Sequence, residues 1–150
     1  MNRTYNTYAN YNNIPRIPVE SKIHDNTPVT SNNFFKIVIV LDESGSMDYV
    51  RDDMINAIND LIMEQKQVKE RPATFTLVKF NHNVHRVIEN VPLEKTNILT
   101  KEDYSPNGTT ALYDAIGNTI NWFRNEDDVL MVIVTDGMEN SSKEYNKQNI

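Results

Sequence analysis

The sequence predicts an α/β fold of three layers, with a mainly parallel sheet between helices and one antiparallel edge strand. Three observations predict it. Two apolar runs rich in β-branched residues, Phe34-Phe35-Lys36-Ile37-Val38-Ile39-Val40-Leu41 and Val129-Leu130-Met131-Val132-Ile133-Val134-Thr135, are continuous rather than alternating. That pattern belongs to strands covered on both faces, as in parallel sheets. Each run ends on an aspartate followed by a turn former, Asp42 before Glu43-Ser44-Gly45 and Asp136 before Gly137. Between the runs lie amphipathic segments whose apolar residues recur near the helical period of about 3.6. Strands alternating with helices give a parallel sheet with helices on its faces.

Taken in order, residues 1–32 are of different material from the rest. Tyr5-Asn6-Thr7-Tyr8-Ala9-Asn10-Tyr11-Asn12-Asn13 is polar and without period, and Pro15, Pro18 and Pro28 follow. Such a segment buries too little apolar area to offset its chain entropy, so it is expected to be a disordered Asn/Tyr-rich tail. Residues 33–150 form the expected domain. After the first strand, a helix is predicted from Asp48 to Glu70, with Met54, Ile58, Leu61, Ile62 and Val68 on one face. Ser46 or Asp48 can cap its start, and Arg71-Pro72 ends it. A strand over Ala73–Phe80, a turn at Asn81-His82-Asn83 and a strand over Val84–Val91 make a hairpin, so the last of these is the antiparallel edge. Pro92 to Tyr104 reads as irregular with one short helical turn. Thr110 opens a helix carrying Leu112, Ala115, Ile116, Ile120 and Phe123, and the strand Val129–Thr135 follows. Asn140-Ser141-Ser142 reads as the cap of a final helix.

Composition excludes several classes. The formal net charge is −6. Arg3, Arg16 and Lys22 against Glu20 and Asp25 leave the first 32 residues at +1, so the remainder carries about −7. Phosphate neutralisation needs clustered Lys and Arg, which are absent, so no nucleic-acid partner is expected. There is no cysteine, hence no disulfide or thiol chemistry. No apolar stretch approaches the ~20 residues of a membrane span, and the start lacks the apolar core of a secretory signal. The expected compartment is the cytoplasm, with no membrane partner.

The chemistry concentrates at the strand ends, where open α/β sheets bind ligands. Asp42, Ser44 and Ser46 place one carboxylate and two hydroxyls on a tight turn permitted by Gly45. Asn107-Gly108-Thr109-Thr110 sets a threonine hydroxyl at a helix start, and Asp136 ends the second apolar run. Three loops can thus supply hard oxygen donors to one cation, of the kind that hold Mg²⁺, Mn²⁺ or Ca²⁺. No His or Cys lies in the turn, so zinc is disfavoured. As isolated residues, Asp42 and Asp136 would read as strand-terminal caps with no metal.

These residues in this order resemble the von Willebrand factor A (vWA) family, whose metal-ion-dependent adhesion site is Asp-x-Ser-x-Ser, then Thr, then Asp. The matching positions are Asp42, Ser44, Ser46, Thr110 and Asp136. Phe80-Asn81, Tyr104-Ser105-Pro106, Ala111-Leu112-Tyr113-Asp114-Ala115 and Asp136-Gly137-Met138-Glu139-Asn140-Ser141-Ser142 further resemble an intracellular-type branch. The resemblance implies a Rossmann-like α/β/α fold, with the sheet ordered edge strand, hairpin partner, first strand, Asp136 strand. It implies Mg²⁺ held directly by Ser44, Ser46 and Thr110, and largely through water by Asp42 and Asp136, with Mn²⁺ or Ca²⁺ as alternatives. An open position on the ion would accept a carboxylate from a protein partner. Family domains continue with a further strand and a closing helix. The domain is therefore expected to be incomplete at its C-terminal side, with self-association through an uncovered sheet edge.

The leading functional expectation is a metal-dependent protein-binding module and not an enzyme. The competing reading is a metal-dependent phosphatase or phosphotransferase using Asp42 as nucleophile. Such enzymes carry a second aspartate two residues on as general acid; Ser44 stands there and cannot act so. A third reading is a scaffold with an unused site. Glu43 is expected to point away as a surface or helix-start charge. Asp48 is explained by the helix dipole, and Asp114 by a capping or supporting role as readily as a ligand role. His82 and His85 read as turn or edge residues, Trp122 and Phe123 as helix packing. Tyr104 and Tyr113, flanking the threonine loop, read as core or as a binding rim.

Overall fold

The computed structural model describes residues 34–150; the tail expectation for residues 1–32 lies outside them. Four strands form one sheet: β1 (Phe35–Asp42), β2 (Ala73–Phe80), β3 (Val84–Pro92) and β4 (Val129–Val134). Their order is β3-β2-β1-β4. β1 pairs in parallel with β2 and with β4, whereas β2 and β3 run antiparallel. Two helices, α1 (Arg51–Gln65) and α2 (Leu112–Phe123), complete the fold.

The continuous apolar run of β1 is explained by a core on each face. Ile37, Ile39 and Leu41 pack with Phe75 and Leu77 of β2 against Ile55, Ile58 and Ile62 of α1. Val38 and Val40 pack with Val78 and Phe80 against Ala115 and Phe123 of α2. The period-2 alternation of a strand thus feeds two hydrophobic layers at once. β4 is the outer strand, where Leu130 and Ile133 are exposed, and no described strand pairs with its far edge.

The helix predicted over 48–70 is shorter at both ends. A 3-10 turn, Gly45–Val50, precedes α1 and buries Met47. Neither Ser46 nor Asp48 caps α1, which begins without a side-chain cap. The Ser46 hydroxyl is engaged elsewhere, and Asp48 is exposed. At the other end, Gln67 and Val68 donate to the carbonyls of Glu64 and Gln65, which tightens and closes the last turn. Val68 is consequently exposed rather than part of the apolar face. The stretch after β3 has the expected short turn, Leu93–Lys95. It is pinned to α1 by the Asn59 side chain, which donates to the Leu99 carbonyl at 2.9 Å and accepts from the Leu99 amide at 2.6 Å.

Candidate metal centre

β1 and β4 end side by side, so Asp42, which closes β1, and Asp136, two residues past β4, lie at the same end of the sheet. Asp42 closes β1 and is fully buried. Its Oδ1 accepts the Ser44 amide at 2.7 Å, which folds the turn, and its Oδ2 accepts the Thr135 hydroxyl at 2.6 Å. The Asp42 carbonyl accepts the Tyr104 hydroxyl at 2.6 Å. Burial, then the charges of Asp42, Glu43 and Asp136, push the Tyr104 pKa far up, so this phenol remains a donor. Tyr104 is core, and its hydroxyl fixes the end of β1.

The hydroxyls of Ser44 and Ser46 lie 3.2 Å apart, and Ser46 donates to Asp136 Oδ1 at 2.8 Å. A hydroxyl that gives its proton to a carboxylate keeps its lone pairs for another partner. The threonine loop meets the serine turn through backbone. The Gly45 amide donates to the Gly108 carbonyl at 3.1 Å, and the Asn107 amide to the Glu43 carbonyl at 2.8 Å. Gly108 has φ +76°, a left-handed conformation that favours glycine. Thr110 is buried. Gly137 lies between the loops, where an added Cβ would stand 3.1 Å from Thr110 Oγ1 and 3.2 Å from Asp42 Oδ2. Asp42, Ser44, Ser46, Thr110 and Asp136 are therefore brought to one end of the sheet, with the Gly137 backbone packed closely against Thr110 and Asp42. Two carboxylates and three neutral hydroxyls are hard donors that suit Mg²⁺ better than a soft or borderline metal. Among the described residues, no group of three or more His, Cys, Asp or Glu is gathered so as to hold a metal ion, here or elsewhere.

Several expectations for neighbouring residues change. Glu43 is not a surface charge: its carboxylate accepts Lys79 Nζ at 2.8 Å and the Ser105 amide at 2.8 Å, and both charged side chains are mostly covered. Asp114 caps no helix; its carboxylate holds the loop after Asp136, accepting the amides of Lys143, Glu144 and Tyr145 at 2.8, 2.9 and 2.8 Å. Asn140-Ser141-Ser142 opens no helix. Ser142 and Glu139 cap α2 instead, and Asn140 holds Thr110 just ahead of it. Glu139 Oε2 accepts the Tyr113 amide at 3.0 Å, Ser142 Oγ accepts the Asp114 amide at 3.0 Å, and Asn140 Oδ1 accepts the Thr110 amide at 2.8 Å. His82 and His85 are exposed, and Trp122 carries the Arg86 guanidinium 4.5 Å above its ring.

Sequence reasoning missed Thr135, Glu139 and Asn140 as supports of the site, and Tyr49 on its rim. The nearby Asp136 charge, then slight burial and a hydrogen bond to Asp136, raise the Tyr49 pKa. For Glu139, burial works upward but is outweighed by the Ser142 amide and hydroxyl and the Tyr113 and Ser141 amides, so its pKa is lowered. A lowered carboxyl contributes stability that is complete above the unfolded value, about 4.3, and lost as pH falls through the folded value. Acid unfolding of Glu139→Gln should therefore lack part of the stability loss that the unsubstituted chain shows below about pH 4.3. Superimposable acid profiles, offset by a constant, would show that Glu139 is not ionised in that role.

A family model described as von Willebrand factor type A domain matches residues 36–149. A search of curated proteins by sequence finds no match. Among solved structures, the ArnB paralog VWA2 of Sulfolobus acidocaldarius is similar at 16% identity and a TM-score of 0.55, over 73% of this chain and 29% of that one. The three N-terminal domains of the type V pili tip protein Mfa5 of Porphyromonas gingivalis are similar at 15% identity and TM-score 0.55, over 77% and 22%. Proximal thread matrix protein 1 from the mussel byssus is similar at 20% and 0.51, over 74% and 30%. The chain thus spans less than a third of the length of each of these neighbours, and the likeness is one of fold.

Proposed function

The chain belongs to the von Willebrand factor type A domain family, and from that premise we propose that it is a Mg²⁺-dependent protein-binding module that captures an acidic side chain of its partner. The observation that carries this reading is the meeting of Asp42, Ser44, Ser46, Thr110 and Asp136, from three loops, at one end of the sheet. The hydroxyls of Ser44, Ser46 and Thr110 would hold the ion directly, and Asp42 and Asp136 would hold it largely through water. When bound, Mg²⁺ would supply an electrophilic position for a partner's carboxylate oxygen. Ser46 and Thr135, by donating to the two aspartates, set the carboxylates in place beforehand. Mn²⁺ or Ca²⁺ could replace Mg²⁺ in the same oxygen set.

Binding without turnover fits the same geometry. Both Asp42 oxygens already accept hydrogen bonds, which leaves a poor nucleophile, and Ser44 supplies no general acid. The exposed side chains of Tyr49 and Met138 stand on the sequence segments that carry Ser46 and Asp136, and they would meet the partner around its acidic residue. The test is capture from native extract on the immobilised chain, washed with Mg²⁺ or with EDTA. A partner retained with Mg²⁺, released by EDTA and absent from Ser44→Ala is expected. Equal retention under both washes would overturn the metal-dependent reading.

A further inference from the structure

The loop after Asp136 and the start of α2 grip each other in both directions. The first amides of a helix have no partner within it, and α2 begins at Leu112, preceded by Ala111, which supplies no side-chain cap. Glu139 and Ser142 accept the Tyr113 and Asp114 amides. In return Asp114 accepts the amides of Lys143, Glu144 and Tyr145. Asn140 joins the two sides at the site itself. Its side chain accepts the buried Thr110 amide at 2.8 Å, while its own amide donates to the Thr110 carbonyl at 3.0 Å. Beyond these, the Tyr145 ring lies flat against Gly117, where a Cβ would stand only 2.4 Å from ring carbons.

We propose that residues 139–145 and the first two turns of α2 form a single latch that opens and closes as a unit, and that Asn140 is the positioning residue through which it holds Thr110 against Asp136. Each side satisfies amides of the other, so neither can leave alone without leaving part-buried donors on its neighbour without those partners. Thr110 and Asp136 come from separate loops, and the short link Asp136-Gly137-Met138-Glu139-Asn140 is what ties one to the other. Any ligand that needs these two oxygens at one spacing must therefore bind the closed latch better than the open one, and by reciprocity it must hold the latch shut. The unit is defined by the hydrogen bonds alone; its action on an ion rests on the metal reading given above.

Hydrogen exchange and Mg²⁺ titration of the full chain test the proposal with Asn140→Ala and Asn140→Asp. Without metal, Asn140→Ala should speed amide exchange over 110–115 and 141–145 together, with β1 and β2 unchanged. Asn140→Asp keeps an acceptor for the Thr110 amide and should return exchange toward that of the unsubstituted chain. Calorimetric Mg²⁺ affinity should fall about tenfold or more in Asn140→Ala, the scale seen when groups supporting metal ligands are removed. Faster exchange on one side only, or unchanged affinity with the latch open, would overturn the proposal. Joint exchange in a chain that takes up no Mg²⁺ would support the latch as a unit and remove the metal reading instead.

Discussion

Asp42→Ala is expected to abolish the stabilisation of the chain by Mg²⁺ and to weaken the metal-free fold as well. The carboxylate is fully buried and accepts the Ser44 amide and the Thr135 hydroxyl. Its removal strands a donor of the serine turn, at a cost of about 1–3 kcal/mol. It also removes a charge from the donor set, so the gain from bound ligand, about 2.7 kcal/mol at a hundredfold excess over the dissociation constant, should vanish. Ser44→Ala separates the two effects. Its amide still folds the turn onto Asp42, so the metal-free melting temperature should fall little, while the Mg²⁺ increment is still lost. Thermal unfolding in millimolar Mg²⁺, Mn²⁺ or EDTA reads both variants. No shift in the unsubstituted chain with either ion would show that the five oxygens do not make a metal site.

Gly117→Ala is expected to destabilise, against the general rule for helices. Replacing an interior helical glycine by alanine ordinarily gains about 1 kcal/mol. Here the new methyl would stand 2.4 Å from Cγ and Cδ1 of Tyr145. Those atoms are at the base of the ring, so the ring cannot swing clear without moving its backbone, whose amide is held by Asp114 at 2.8 Å. Overpacking of this kind typically costs about 1–3 kcal/mol. In a Tyr145→Ala background the clash is gone, and the same substitution should become stabilising. Denaturant unfolding of the four chains gives the coupling directly. A Gly117→Ala effect of the same sign and size in both backgrounds would mean that the ring is not packed on the helix.

The sheet and the meeting of Asp42, Ser44, Ser46, Thr110 and Asp136 at its strand ends were legible because their signals are local. The β1 run is apolar at every position but Lys36, since α1 and α2 cover opposite faces, and a double-sided core leaves that imprint on consecutive residues. The serine turn is contiguous, and its chemistry is visible in five letters. What was not legible is which partner a side chain takes when two compete. Ser46 has the chemistry of a helix cap but gives its hydroxyl to Asp136, ninety positions away. Ser142 has the chemistry of a helix cap and caps α2 rather than a helix of its own, while Asn140 takes the Thr110 amide just ahead of α2. Capping propensity is encoded locally, and its target, here the amides of Thr110 and Asp114, is set by the tertiary fold. Glu43 was misread for the same reason, since Lys79 becomes its neighbour only when β1 and β2 pair.

The parallel pairing of β1 with β4 also fixes an order of assembly. β1 and β2 are close in sequence, and β2 and β3 form a hairpin, so three strands can associate before β4 is available. The Asp42–Thr135 contact spans 93 positions. Contacts of such separation close late, because the entropy of the intervening loop must be lost first. During synthesis, the serine turn emerges before β4 and the Asp136 segment that follows it are made. An unfinished or misdocked chain would therefore display Asp42, Ser44 and Ser46 without Asp136, and under the proposed function Mg²⁺ binding would be a late event that marks completion of the sheet.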